Sequence, residues 1–187
     1  MRLCPLLIVA VVPLFAACGG ENIPAQSTTP DNSAQAQGDF MKNAEGIWEG
    51  TNTLWMKYPE NPQESAAKVV VSPDRIEYSW AHEDKPQTGT FMFSGNGSQL
   101  SAQWTDTWHA KDSMACSGTE QDGVVKVTGA YSAGDGPDWS WRTEFRMDAP
   151  DKLNIKMYNI LPDSLFPDQA ERELLAVNMD LTRAPSQ

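Results

Sequence analysis

From Gly46 to Arg183 the chain is cut by turn residues into short runs rich in β-branched and aromatic side chains. No stretch between those turns carries an apolar repeat long enough for a substantial helix. Successive side chains of a strand point to opposite faces, so a half-buried strand alternates apolar with polar residues. The stretch GIWEGTNTLWMKY at 46–58 does this. Trp48, Leu54, Met56 and Tyr58 share one parity, and Glu49, Thr51, Thr53 and Lys57 share the other. Further strand-like runs lie at 69–71, 76–82, 88–94, 100–109, 124–131, 139–147, 153–160 and 174–183. The breaks between them include Ser72-Pro73-Asp74, Gly95-Asn96-Gly97-Ser98, Asp122-Gly123 and Ala149-Pro150-Asp151, residue types that favour tight turns and hairpins. Runs of this kind predict an all-β domain, a single up-and-down antiparallel β-barrel of about eight to ten strands. Closure of the meander on itself leaves no unpaired edge. Residues 161–171, with Pro162 and Pro167, exceed a hairpin loop and are expected to fold over one mouth. A short helix at 40–44 is expected to cap one end.

All seven tryptophans lie between Trp48 and Trp141. At roughly 150–250 Å² of buried surface each, they imply a large core or a cavity lined with indoles. The formal charge of −11 repels phosphate backbones, and no basic stripe opposes it, which excludes nucleic-acid binding.

The N-terminus reads as a targeting segment. Arg2 supplies a positive start, residues 3–14 an apolar stretch, and Phe15-Ala16-Ala17-Cys18 a small-residue cleavage site ending in cysteine. This resembles the bacterial lipobox, which implies a lipoprotein signal peptide at 1–17 and acylation of Cys18. The apolar stretch is shorter than the about 20 residues of a membrane-spanning helix and holds Pro5 and Pro13. Gly19 after the cysteine resembles the signal of lipoproteins forwarded to the outer membrane, facing the periplasm. Residues 18–39 comprise the cysteine and a tract rich in Gly, Pro, Ser, Thr and Gln. Such a tract buries too little to order itself and is expected to be a disordered tether to a barrel domain at 40–187.

Gly46-Ile47-Trp48 at the head of the first strand and Arg183 near the end of the last resemble the closure device of calycins, the superfamily of lipocalins and fatty-acid-binding proteins. The resemblance implies that Arg183 packs across the face of Trp48 at the closed end of the barrel. Val177, Met179, Leu181 and Arg183 share one parity, as that packing needs. Residues 104–109 (WTDTWH), Met114-Ala115-Cys116 and residues 134–143 (GDGPDWSWRT), with Gly46–Gly50, are similar to an uncharacterised family of bacterial lipoproteins. Trp48-Glu49-Gly50 followed by Tyr58-Pro59 also resembles the heme-binding calycins, whose axial histidine comes late. This chain has no histidine after His109, so no heme or other cofactor is expected.

Parity places several polar residues on the same faces as apolar ones: Asn52 with Trp48 and Leu54, His82 with Tyr78 and Trp80, Asp106 with Trp104 and Trp108, and Asn159 with Ile155 and Met157. If these faces line a cavity, its wall comprises Asn52, Tyr78, Trp80, His82, Trp104, Asp106, Trp108 and Asn159, a greasy surface with a few fixed polar groups. His109 and Cys116 are the remaining pair with chemistry. No His-x-x-x-His or Cys-x-x-Cys spacing supports a metal site, and an unpaired Cys116 is expected to be buried and inert. Three functions are open at this stage. The first is an envelope lipoprotein whose barrel binds a small apolar or amphiphilic molecule. The second is a filled barrel that docks an envelope protein. The third is an enzyme in which His82, Asp106, His109 or Cys116 converge at a mouth.

Overall fold

The computed structural model describes residues 39–132, 134–168 and 172–185. The signal segment, the acylation expected at Cys18 and nearly all of the tether lie outside the described residues.

Helix α1 (Asp39–Ala44) leads into ten strands: β1 (Gly46–Leu54), β2 (Gln63–Ser72), β3 (Arg75–His82), β4 (Lys85–Ser94), β5 (Leu100–Asp106), β6 (Ala110–Gln121), β7 (Val124–Tyr131), β8 (Trp139–Ala149), β9 (Lys152–Ile160) and β10 (Glu173–Arg183). Each strand pairs antiparallel with its neighbours in sequence, and β1 also pairs with β10, so the meander closes into a barrel. In the seam residue Trp48 lies opposite Arg183 and Leu54 opposite Val177. Every strand therefore has a partner on both sides, which removes the edges that would template aggregation.

Strand β2 begins at Gln63, six residues before the run at 69–71, and three further departures from the sequence reading matter more. Strand β1 ends at Leu54, and residues 55–62 form a connection that exposes Met56 and Tyr58 at 69% and 43%. Their parity with Trp48 carries no burial because the pairing with β10 has already ended. Strand β5 likewise stops at Asp106, and 107–109 is a turn. The third difference is a tenth strand, β6, whose sequence AKDSMACSGTEQ is poor in strand-favouring residues. It is drawn into place by ladders from β5 on one side and β7 on the other. Strand propensity is largely packing against neighbours, so tertiary pairing overrides a weak local preference.

The end at which β1 begins is sealed. Phe40, Met41 and Ala44 of α1 are buried there, and the backbone N–H of Phe40 donates to Glu120 Oε1 at 2.7 Å. The fully buried Trp48 donates its Nε1–H to the Ala44 carbonyl at 2.8 Å. The Arg183 guanidinium lies 4.2 Å from the centre of the Trp48 ring. It donates to the carbonyls of Asn43 at 2.7 Å, Glu45 at 2.5 Å and Pro150 at 3.2 Å. One cation thus joins the helix end, the β8–β9 turn and the first strand, while the ring shields its face.

Above this seal the interior is filled by side chains. Phe91 and Trp104 stack with ring centres 5.5 Å apart, Trp104 and Trp141 stack at 5.5 Å, and Phe145 meets Phe91 edge-on at 5.1 Å. Gly89 makes room for this packing: a Cβ there would lie 2.1 Å from the hydroxyl of Tyr78. The opposite end of the barrel carries the 55–62 connection, the 107–109 turn and the links from β7 to β8 and from β9 to β10.

Candidate functional site

At the open end the β5–β6 turn reverses the chain around Asp106. Both the Trp108 and His109 backbone N–H groups donate to Asp106 Oδ1 at 2.7 Å, an Asx-type turn built by the carboxylate itself. This breaks strand alternation, so that Trp108 and His109, although adjacent in sequence, both face the mouth. His109 Nδ1 sits 3.2 Å from the same oxygen. The other carboxylate oxygen accepts the Tyr78 hydroxyl at 2.5 Å, and Tyr78 in turn accepts Trp104 Nε1–H at 2.9 Å. The result is a buried relay, Trp104 to Tyr78 to Asp106 to His109, that begins in the core and ends at the mouth.

The electrostatics follow from this geometry. Burial alone would raise the Asp106 carboxyl, but the hydrogen bond and charge of His109 and the Tyr78 hydrogen bond outweigh it, leaving the group below its ordinary value of 3.8. Burial first, and then the charge of Asp106, hold Tyr78 well above its ordinary value, so it stays a neutral donor. Two backbone N–H groups and one hydroxyl already donate to Asp106, as suits an ionised acceptor. His109 must then present Nδ1 as N–H, which leaves Nε2 as its free ring nitrogen.

Beside His109 lies a cleft of about 310 Å³, walled by Trp104, Trp108, His109, Met114, Tyr131, Trp141 and Asn159. The His109 and Trp141 ring centres are 4.5 Å apart. Tyr131 donates to Asn159 Oδ1 at 2.7 Å, which leaves both amide hydrogens of Asn159 available. Trp141 is buried, and its Nε1–H has no acceptor among the described residues. Gly129, opposite Trp141 on β7, leaves room for Met114: a Cβ at 129 would lie 2.4 Å from the Met114 sulfur. A second hollow of similar size on the outer wall, lined by Arg146, Asp148, Asn154 and Lys156 among others, is polar, and Asn154 there is engaged by Asn178 and Asp180.

Of the residues singled out in the sequence, Trp104, Trp108 and Asn159 line the cleft, and so does His109. Tyr78 and Asp106 lie behind its wall as the support of His109. Trp80 and His82 pack on Trp108, with His82 4.2 Å from it between ring centres, but neither joins the lining. Asn52 is fully buried on β1, and neither its amide nitrogen nor its oxygen has a partner among the described residues. Met114, Tyr131 and Trp141 join the lining without having been singled out. Trp141 shares parity with Phe145, and Tyr131 with Val125 and Val127, so the period-two pattern could have found both. Met114 lay in a run with no strand signal.

Cys116 points inward beneath Met114, its thiol 3.8 Å from the Met114 carbonyl, and burial pushes it up to about 11. In native buffer at neutral pH the thiol is expected to resist a chromogenic thiol reagent, and to react fully once the domain is denatured. Fast native labelling would contradict the burial. Among the described residues no cluster of three or more His, Cys, Asp or Glu side chains is placed to hold a metal ion.

No family model matches the chain, and no curated protein matches it. Among solved structures it is similar to an S-type phycobiliprotein lyase from Guillardia theta, at 10% identity and a TM-score of 0.49, over 79% of this chain and 92% of that one. The fold stands on this chain's own geometry: a closed ten-stranded up-and-down barrel, sealed at one end by the Trp48–Arg183 pair.

Proposed function

We propose that the barrel binds a small, flat, apolar or amphiphilic molecule in the cleft at its open mouth. The observation that carries this reading is the cleft itself. Three indoles, a phenol and a thioether form its wall, and two polar side chains are held rigid by their own partners. That composition is typical of small-ligand sites, and about 310 Å³ is at the small end of their range, enough for one or two fused rings. The side chains packed below Trp104 support a site at the mouth over one along the barrel axis. Titration of the purified domain with naphthalene should quench or shift tryptophan fluorescence saturably, and Trp108→Ala should weaken that binding about tenfold or more. A linear, unsaturable response would end the proposal. Native mass spectrometry of the purified protein would show what occupies the cleft in the cell.

The lipobox-like stretch supports an envelope address, with the domain tethered through an acylated Cys18 to the outer membrane on its periplasmic side. Several acyl chains hold a protein stably where one is marginal. Labelled palmitate should enter the wild-type protein and not Cys18→Ala, which should leave the membrane fraction. A second reading, docking of an envelope protein, is favoured by the exposed Met56 and Tyr58 on the 55–62 connection.

A further inference from the structure

One flexible side chain in the cleft rests on a seat that only glycine provides. Met114 lines the cleft from β6, where it pairs with Trp104 of β5. Its side chain lies over Gly129, a buried position of β7 opposite Trp141. A Cβ at 129 would stand 2.4 Å from the Met114 sulfur, 2.7 Å from its Cγ and 2.8 Å from the Cys116 sulfur, closer than real Cβ atoms come. The absence of a side chain at 129 is therefore what lets the thioether lie flat against the sheet. Trp104 and Trp141 stack 5.5 Å apart, and the interior beyond them is packed with Phe91 and Phe145. The side with room for a displaced thioether is thus the cleft it already lines. Methionine is unbranched and polarisable, so it fills an irregular gap, adapts to an occupant and makes favourable sulfur contacts with aromatic rings.

Building on the proposed ligand-binding role, we infer that Met114, seated on Gly129, is the floor of the cleft and sets how far a flat aromatic ligand enters. With the thioether in place the slot takes two fused rings, and a third stays in water. Truncating the floor admits the third ring. Filling the seat at 129 lifts the floor and shortens the slot.

The test uses quinoline and acridine, which differ by one fused ring and are both uncharged in weakly alkaline buffer. Their affinities for the full-length protein are measured by calorimetry or tryptophan fluorescence and compared as a ratio, because a variant that only loosens the mouth weakens both together. Met114→Ala is expected to raise the acridine-to-quinoline ratio about tenfold over the wild type. Gly129→Ala is expected to weaken quinoline severalfold. Adding Met114→Ala to Gly129→Ala should recover quinoline affinity, since the new methyl then has no thioether to displace, and a purely structural effect at 129 would give no such recovery. Far-ultraviolet circular dichroism checks the fold of each variant, and the Met114→Ala ratio decides even where Gly129→Ala does not fold. An unchanged ratio in Met114→Ala, with both probes still bound, would overturn the floor and leave the binding role standing. Saturable binding of neither probe to the wild type would overturn both.

Discussion

Trp48→Ala is expected to cost about 3–5 kcal/mol, a large part of a small domain's stability. The side chain is fully buried, and its removal would leave a cavity under α1, strip the Ala44 carbonyl of its donor and uncover the inner face of Arg183. Closure of the barrel concentrates the effect, because Trp48 and Arg183 are register partners across the β1–β10 seam. Arg183→Met keeps much of the side-chain volume and takes away three charge-assisted hydrogen bonds, for which about 1.5–3 kcal/mol is expected given its partial exposure. Urea unfolding measured for both single variants and the double variant checks the arrangement. The double variant should lose less than the sum of the two, since each residue's role depends on the other. Strict additivity would mean that the pair does not act as one seal.

The second large effect is expected at Asp106. Its side chain is 1% exposed, and it accepts from Tyr78, from the backbone of Trp108 and His109, and from the His109 ring. Asp106→Ala leaves these donors facing a void and should cost about 3–5 kcal/mol. Asp106→Asn keeps the shape, still deprives the Tyr78 hydroxyl of its acceptor, and should cost about 1–3 kcal/mol. The two proteins should also respond differently to acid. In the fold the Asp106 carboxyl lies below 3.8, whereas in the unfolded chain it takes up its proton near that ordinary value. The unfolded chain therefore binds the proton first as pH falls. The stability owed to this group is complete above about pH 5 and drains as pH drops through 3.8 toward the folded value. Urea midpoints compared at neutral and acid pH should show that part of the loss in the wild type and not in Asp106→Asn. Identical acid dependence would contradict an ionised, hydrogen-bonded Asp106.

Much of the barrel was legible one strand at a time. The alternation through Trp48, Asn52 and Leu54, the run from Ile76 to His82 and the parity of Val177 to Arg183 all match the buried faces found. Asp122-Gly123 and Pro150-Asp151 sit at tight turns between paired strands, because Gly, Asp and Pro impose local backbone geometry without help from distant residues. Strand β6 was illegible for the opposite reason. Its alanines, serines and glycine have little preference of their own, and only the ladders on either side hold them extended. The mouth was half legible. Trp104 and Asn159 followed from parity, but that rule assigned His109 to the opposite face from Trp108. A carboxylate that bends its own chain defeats a period-two argument, although Asp106 three residues before His109 is the signal for such a turn.

What the sequence by itself determined is the strand-and-turn alternation and the concentration of indoles in the central strands; the sealing pair came from the resemblance to calycins. These are properties of residues and their near neighbours, set by side-chain period and turn chemistry. Only the tertiary structure decided which indoles fill the core and which wall the cleft, because that depends on how far the interior is packed before the mouth opens. It alone also joined Tyr78 on β3 to Asp106 on β5, and set Trp141 on β8 beside His109 in the β5–β6 turn. Those pairings span strands far apart in the chain and exist only once the sheet has rolled up and closed.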